Sequence, residues 1–426
     1  MDQLVRSDAA RNPYIYIGMY IIFAVLMGLI IYFLILKKWY ILPTPDNIEA
    51  IKQTQTAKLE PLWTGITQSK KGIQDAMNGV PNDERLLINA SVMSVRLAGF
   101  LGPYESGVFD EATATRLALS SGARCLIVEI DYLEDSPRMP RLVYRDLGEM
   151  KRSLNDGSLE IVAENIAGRA FNPASDSVPP NVANDPLILV LYFTRPLKFE
   201  SGTPGYMEYM GRVAKMLEPI KPHLLGMTPQ GDFRKQQLES QLFFTKLDVF
   251  SGKIICLTNA DLSPFKRMNV EPSKNLDLFI HARLYSRESP SPFNASSPES
   301  SVNPAAVLTT PSYWITTPPD RLADSVSKTK QAWTLVMQPA ALESNTIDKE
   351  NLTKVLKTYG AHSIPFCLFD SEEVLKNFVG KDAPYEKTSW SVKQEAIRFI
   401  PPKPIAVQKP SPQTNSGGGF IVSPSL

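Results

Sequence analysis

Between Asn12 and Leu36 the chain carries no charged residue. The stretch IYIGMYIIFAVLMGLIIYFLIL is long enough, at about 1.5 Å per helical residue, to cross a hydrocarbon core of about 30 Å. Such a run leaves few choices: residues 14–36 are expected to form one membrane-spanning helix behind a short tail, 1–13. Arg11 and Pro13 bound it on one side and Lys37, Lys38 and Trp39 on the other, with Tyr14, Tyr16, Trp39 and Tyr40 placed as interfacial aromatics. A cleaved signal peptide would have an apolar core of about 7–15 residues and a small-residue cleavage site, and neither is present. Arg6 and Arg11 precede the helix, whereas Lys37, Lys38, Lys52 and Lys58 follow it, so the positive-inside rule favours a cytoplasm-facing body. Three sequons, at Asn89, Asn294 and Asn351, argue the other way, although Asn89 falls inside an expected strand.

The remaining chain is globular in composition, with 43% hydrophobic and 21% charged residues overall. Its 45 basic and 44 acidic residues nearly cancel, so there is no field to gather a polyanion, and nucleic-acid binding is not expected. Cys125, Cys256 and Cys367 lie far apart in apolar runs, without disulfide or zinc spacing, and read as buried thiols.

Residues 37–82 look like a polar helical stalk, with helix over Asn47 to Lys58 and Gly65 to Met77 and prolines 43, 45 and 61 as punctuation. From Leu86 onward apolar runs alternate with helical patterns. The expected strands are Leu86 to Val95, Cys125 to Tyr132, Leu142 to Tyr144, Leu187 to Thr194, Ile254 to Thr258, Leu276 to Leu284, Trp333 to Met337 and Ile364 to Phe369. Helices are expected at Asp110 to Ser121, Ser158 to Phe171, Tyr206 to Leu217, Arg321 to Gln331, Lys349 to Tyr359 and Ser371 to Phe378. Eight strands, most followed by a helix, suggest an α/β fold, a (β/α)8 TIM-type barrel over 83–405. An open doubly wound sheet is the second choice, but no Gly-rich phosphate fingerprint follows an early strand. The Ser/Pro-rich segment 286–320 reads as an insertion loop and 406–426 as a flexible tail.

The run SSGARCLIVEIDYLED, followed by RLVYRD, resembles the X region of phosphatidylinositol-specific phospholipase C barrels. There a strand ending in Glu-x-Asp is followed without a helix by one ending in Tyr-His-Gly. The order continues with a helix, the strand Leu187 to Leu191, and a closing EAIRFIPPKP. The resemblance implies Glu129 and Asp131 as calcium ligands; two carboxylates two residues apart on a strand share a face, as ligands must. It also implies a general-base histidine at the end of the first strand and a general-acid histidine at the end of the third. The first of the chain's three histidines is His223, too late for either role, and Tyr144-Arg145-Asp146 stands where Tyr-His-Gly should be. Arginine holds phosphate but does not shuttle protons near neutral pH. The family's further carboxylate after the fourth strand is replaced by Tyr192 or Thr194.

Glu129 and Asp131 therefore have two readings: calcium ligands, or carboxylates bonded to inward arginines or tyrosines. His281, Arg283, Tyr285 and Arg287 alternate along one expected strand, either into the barrel mouth or onto a solvated face. Arg145, Arg283 and Arg287 are the candidate anion-binding residues. His223 suits a helix end, and His362 a turn before a strand. Two functions stand open. One is a membrane-anchored, catalytically inactive barrel without a cofactor, a structural or binding protein of a viral or other assembly, touching the lipid bilayer, anionic lipid head groups or assembly partners. The other is an active, calcium-dependent lipid phosphodiesterase with a rearranged pair such as His281 and Glu129.

Overall fold

The computed structural model describes residues 13–36, 43–64, 70–146, 150–175, 177–226, 241–286, 304–338 and 347–402. Within them eight parallel strands close a barrel: β1 (Ala90–Val95), β2 (Cys125–Leu133), β4 (Leu187–Phe193), β5 (Ile254–Thr258), β6 (Ala282–Ser286), β7 (Ala306–Thr309), β8 (Trp333–Val336) and β9 (Ser363–Phe366). Closure is made by β1, which pairs with β9 through Val92 and Ser363 and with β2 through Ser94 and Cys125. Two antiparallel strands are added outside the ring. β3 (Ser136–Leu142) folds back on β2, and β10 (Trp390–Val392) lies along the first half of β1, where β2 has not yet begun.

Side-chain alternation builds two apolar layers. Val92, Ile127, Ile188, Val190, Ile255, Leu257, Leu284, Leu308 and Leu335 fill the barrel, and Leu86, Leu87, Ile88, Leu242 and Phe243 plug its floor, with Phe243 stacked on Trp333 at 5.7 Å. Leu126, Val128, Ile130, Leu189 and Leu191 face outward onto the helices α3 (Glu111–Ser120), α4 (Leu159–Arg169) and α5 (Pro204–Met216). The three cysteines are buried free thiols.

Two expectations fail in compensating ways, so the count of eight is right for partly wrong reasons. The apolar run at 142–144 is not a ring strand. Glu134 and Asp135 alone connect β2 to β3, since Leu133 pairs with Ser136, and so short a link can only make an antiparallel hairpin. Conversely, 286–320 is not one long loop: Ala306–Thr309 is a fully buried ring strand and Pro311–Ile315 a short helix. A four-residue apolar run was averaged away by its Ser/Pro-rich surroundings. The strand expected from Leu276 begins at Ala282, after a 3-10 turn at Leu276–Leu278.

The stalk is also corrected. α2 (Pro45–Thr64) is one helix that runs through Pro61 and packs against the barrel rather than standing clear of it. Leu59 and Trp63 are buried, the Trp63 indole donates to Leu368 O at 3.1 Å and stacks on Phe366, and Arg116 pairs with Glu60. α1 (Pro13–Leu36) is a 24-residue helix whose described side chains, 17–32, are almost all exposed. Among the described residues no helix is long and apolar enough to cross a membrane. Asn294, Arg287 and the tail 406–426 lie outside the described residues.

Candidate functional site at the barrel mouth

Barrel sites form where strands end, so the residues that close β1, β2 and β4 define the mouth. Inward-facing positions on β2 are Cys125, Ile127, Glu129 and Asp131, which puts both candidate carboxylates on one face as their spacing requires. Each is engaged by arginine. Arg96, the residue after β1, places Nε and a terminal nitrogen 2.8 and 2.7 Å from Glu129 Oε1 and donates to Gln338 O at 3.1 Å. Both side chains of the pair are only 5% exposed, so neither charge has water as an alternative partner. Burial works against the charge on Arg96, but Glu129 and other negative groups hold its guanidinium above the ordinary value. Tyr192 stands beside Glu129 across the strand pair, and burial, with Glu129 second, pushes its hydroxyl up to about 12.

Asp131 is gripped from two sides. Oδ2 accepts from Arg145 Nε at 2.6 Å, and Oδ1 accepts from Arg195 Nε at 2.5 Å and from the Tyr132 amide at 2.7 Å. Tyr209 on α5 donates to the Asp131 carbonyl at 2.8 Å. Arg195 also reaches Glu134 at 2.6 Å and lies over the Tyr132 ring at 3.9 Å, and Lys198 completes the rim by pairing with Glu134. Burial disfavours charge on Arg195, yet its hydrogen bonds to Asp131 and Glu134 hold it above its ordinary value. Glu134, at the exposed edge, is held down to about 2 by Lys198 and Arg195. Among the described residues, no three His, Cys, Asp or Glu side chains cluster as a metal site.

The other candidates go elsewhere. Ala282 and Leu284 point into the barrel, so Arg283 and Tyr285 face outward; Arg283 lies 3.5 Å from Asp261 and 5.0 Å from the Tyr285 ring centroid. Arg145 and Arg283 thus hold different carboxylates on different sides of the wall. His281 does not meet Glu129. Its Nδ1 accepts from the Cys256 amide at 2.9 Å and its Nε2 lies 2.6 Å from Leu225 O. Strand register carries Cys256 to Leu189 and Leu126, three residues before Glu129, or about 10 Å along β2. His362 repeats the arrangement: Nδ1 accepts from the Thr334 amide at 2.9 Å and Nε2 lies 2.8 Å from Ile88 O. His223 precedes Leu224, which bridges to Ile254 at the start of β5. All three histidines therefore sit toward the floor, opposite the mouth. The Asn89 sequon is closed off as well, since Nδ2 donates to Glu84 O and Phe399 O and Oδ1 accepts from the Phe399 amide.

Arg96 and Arg195 are the residues of the candidate site that the sequence alone did not single out. Both directly follow or closely follow a ring strand, at the positions from which barrels draw their site residues, and that placement was the available signal.

No family model matches the chain, and no curated protein matches its sequence. Among solved structures the fold is similar to L. pealei PLC21, with TM-score 0.50 and 12% identity, covering 75% of this chain and 39% of that one. It is also matched to a calcium-dependent phosphoinositol-specific phospholipase C from Pseudomonas sp., with TM-score 0.41 and 12% identity over 69% of this chain and 94% of that one. A further match is a glycerophosphodiester phosphodiesterase described as putative, from Galdieria sulphuraria, with TM-score 0.36 and 10% identity over 67% and 96%. This chain spans well under half the length of L. pealei PLC21. The class the fold defines is a closed eight-stranded parallel α/β barrel of the TIM type, similar in fold to L. pealei PLC21.

Proposed function

We propose that the chain is a membrane-anchored PLC-like barrel that acts as a structural or binding protein and does not cleave phosphodiesters. The observation that carries this reading is the separation of its parts: the carboxylates are at the mouth and every imidazole is toward the floor. In-line displacement at phosphorus needs a base on the attacking oxygen and an acid on the leaving one, each worth about 10²- to 10⁴-fold. Arg96 stands at the end of the first strand, where the resemblance calls for the base, and its guanidinium cannot take a proton.

The residues also do not suit calcium. Glu129 already neutralises Arg96, Asp131 already faces Arg145 and Arg195, and a dication would meet three guanidinium groups before it met a free carboxylate. What the rim offers is cationic: Arg145, Arg195 and Lys198 against Asp131 and Glu134. That balance suits an anionic head group or an acidic partner surface in an assembly, including a virion membrane. The anchor reading rests on the uncharged run Asn12 to Leu36. The cytoplasm-facing orientation rests on Lys37, Lys38, Lys52 and Lys58, and glycan-dependent mobility at Asn351 would reverse it.

The test is phosphodiester cleavage by the full chain in phosphoinositide-containing micelles, with and without calcium. No turnover is expected, and calcium-dependent turnover abolished by Glu129→Gln would overturn the reading. Resistance to alkaline carbonate extraction, lost on deletion of residues 1–40, is expected of the anchor; carbonate release of the intact chain would defeat it.

A further inference from the structure

The segment after the last helix crosses the barrel floor as a strap. β10 fills the seam beside β1, Lys393 donates its amide to Asn89 O, Ile397 is buried, Phe399 packs on Phe244 and exchanges hydrogen bonds with the Asn89 side chain, and Arg398 pairs with Glu84. Lys393 is the unusual member. Its side chain runs inward under Gly360, whose φ of +73° favours glycine and where a Cβ would stand only 3.4 Å from Lys393 Cε. Its Nζ ends 2.8 Å from His362 Nε2 and 3.1 Å from Thr329 O.

The hydrogen-bond arithmetic at this point fixes protonation. His362 Nδ1 accepts the Thr334 amide, so in the neutral ring the proton is on Nε2, which then has no lone pair to offer. An ammonium at 2.8 Å would set one donor against another. A neutral amine accepts from Nε2–H, which Ile88 O shares, and donates one N–H to Thr329 O, so that no donor faces a donor.

We propose that Lys393 is held as a neutral amine and that Lys393 with His362 forms a proton-sensitive latch, closing the 389–399 strap over the floor and releasing it on acidification. The charged groups around the latch are positive: Lys330 on the neighbouring helix, whose Nζ bonds Ala396 O, and Lys357, which lines the same cavity. Of the acids nearby in sequence, Glu395 faces Arg398 at 4.0 Å, and Glu84 also pairs with Arg398. Burial, then Lys330, pulls the amine well below the ordinary lysine range, and burial, then Lys393, pulls His362 well below the ordinary histidine value. Both folded values lie below the unfolded ones. The latch's contribution is therefore complete above about 10.5, the ordinary lysine value, and is lost as pH falls through the depressed folded values of Lys393 and His362.

Hydrogen exchange of the full chain in detergent, corrected for intrinsic rates, tests this between about pH 9 and about pH 5. Protection of the amides of Lys393 and Ile397 is expected to fall at least about tenfold relative to the β4 amides on acidification, and to fall several-fold less in Lys393→Met, where Lys70, His362 and Asp185 still titrate. Asp185, which bonds the Trp390 indole in the same strap, is present in both proteins, so its titration cancels in the comparison. If Lys393→Met fails to fold, Lys393→Gln, which keeps an acceptor for His362 and a donor for Thr329, reads the same difference. Protection that is independent of pH in the wild type, or that depends on pH equally in the variant, overturns the latch.

Discussion

The mouth and the floor of this barrel solve the same problem, burying polar side chains, with opposite chemistry. At the mouth, full charges are matched to full charges: Arg96 with Glu129, and Arg145 and Arg195 with Asp131. At the floor, neutral imidazoles bridge backbone groups, each taking an amide from a neighbouring strand and facing a carbonyl of the plug. The resemblance to phospholipase C barrels would put imidazoles above, with free carboxylates beside them. Here the titratable groups of each end are committed to structure, and that carries the functional reading.

If the mouth is a structural ion-pair layer, breaking one partner should cost much more than removing both. Arg96→Met is expected to lower stability in denaturant titration by about 3–5 kcal/mol, because Glu129 is left charged and dry, whereas Arg96→Met with Glu129→Leu should recover most of it. A single substitution that is tolerated as well as the double one would mean that the pair is wet and available. The floor should respond less steeply. His281→Ala orphans the Cys256 amide and the Leu225 carbonyl and is expected to cost about 1–3 kcal/mol, with no change in any ligand response.

The floor should also carry a pH signature between about 4 and about 6. Burial raises Asp185, which accepts from the Ile73 amide and the Trp390 indole, to about 6 from 3.8. A raised folded value means that its contribution is complete below 3.8 and is lost as pH rises through about 6. Asp185→Asn is expected to flatten the melting temperature across that interval; an unchanged slope would place the titration elsewhere. The smallest effect is expected at the outer rim: Lys198→Ala removes a solvent-exposed partner of Glu134 and a 5.6 Å contact with the Tyr132 ring, both of which Arg195 also makes, and should leave the melting point unchanged within error.

Much of this organisation is legible in the sequence where local signals are long. The helices at 111–120, 159–169 and 204–216 and the strands β2, β4 and β5 follow directly from their apolar periods. The shared face of Glu129 and Asp131 follows from strand alternation, and their arginine engagement was one of the two readings left open. What was illegible is short or nonlocal. β7 is four residues inside a Ser/Pro-rich stretch, and the reversal at Glu134 and Asp135 is decided by loop length rather than by the strand that follows. The strand begins only at Ala282, which leaves the His281 imidazole below the mouth, and Ala282 and Leu284 take the inward positions, which leaves Arg283 outside. The docking of α2 depends on Trp63 meeting Phe366, about three hundred residues away, which no window on the sequence can contain.

The central claim, that no imidazole takes part in chemistry at the mouth, is tested most directly by nitrogen NMR of His223, His281 and His362 in the full chain while inositol phosphate and calcium are added. The account expects His281 and His362 as neutral rings protonated on Nε2, with all three signals unmoved by either addition. A ligand-dependent shift or a change of tautomer at any of the three would put a histidine in contact with the site and contradict it.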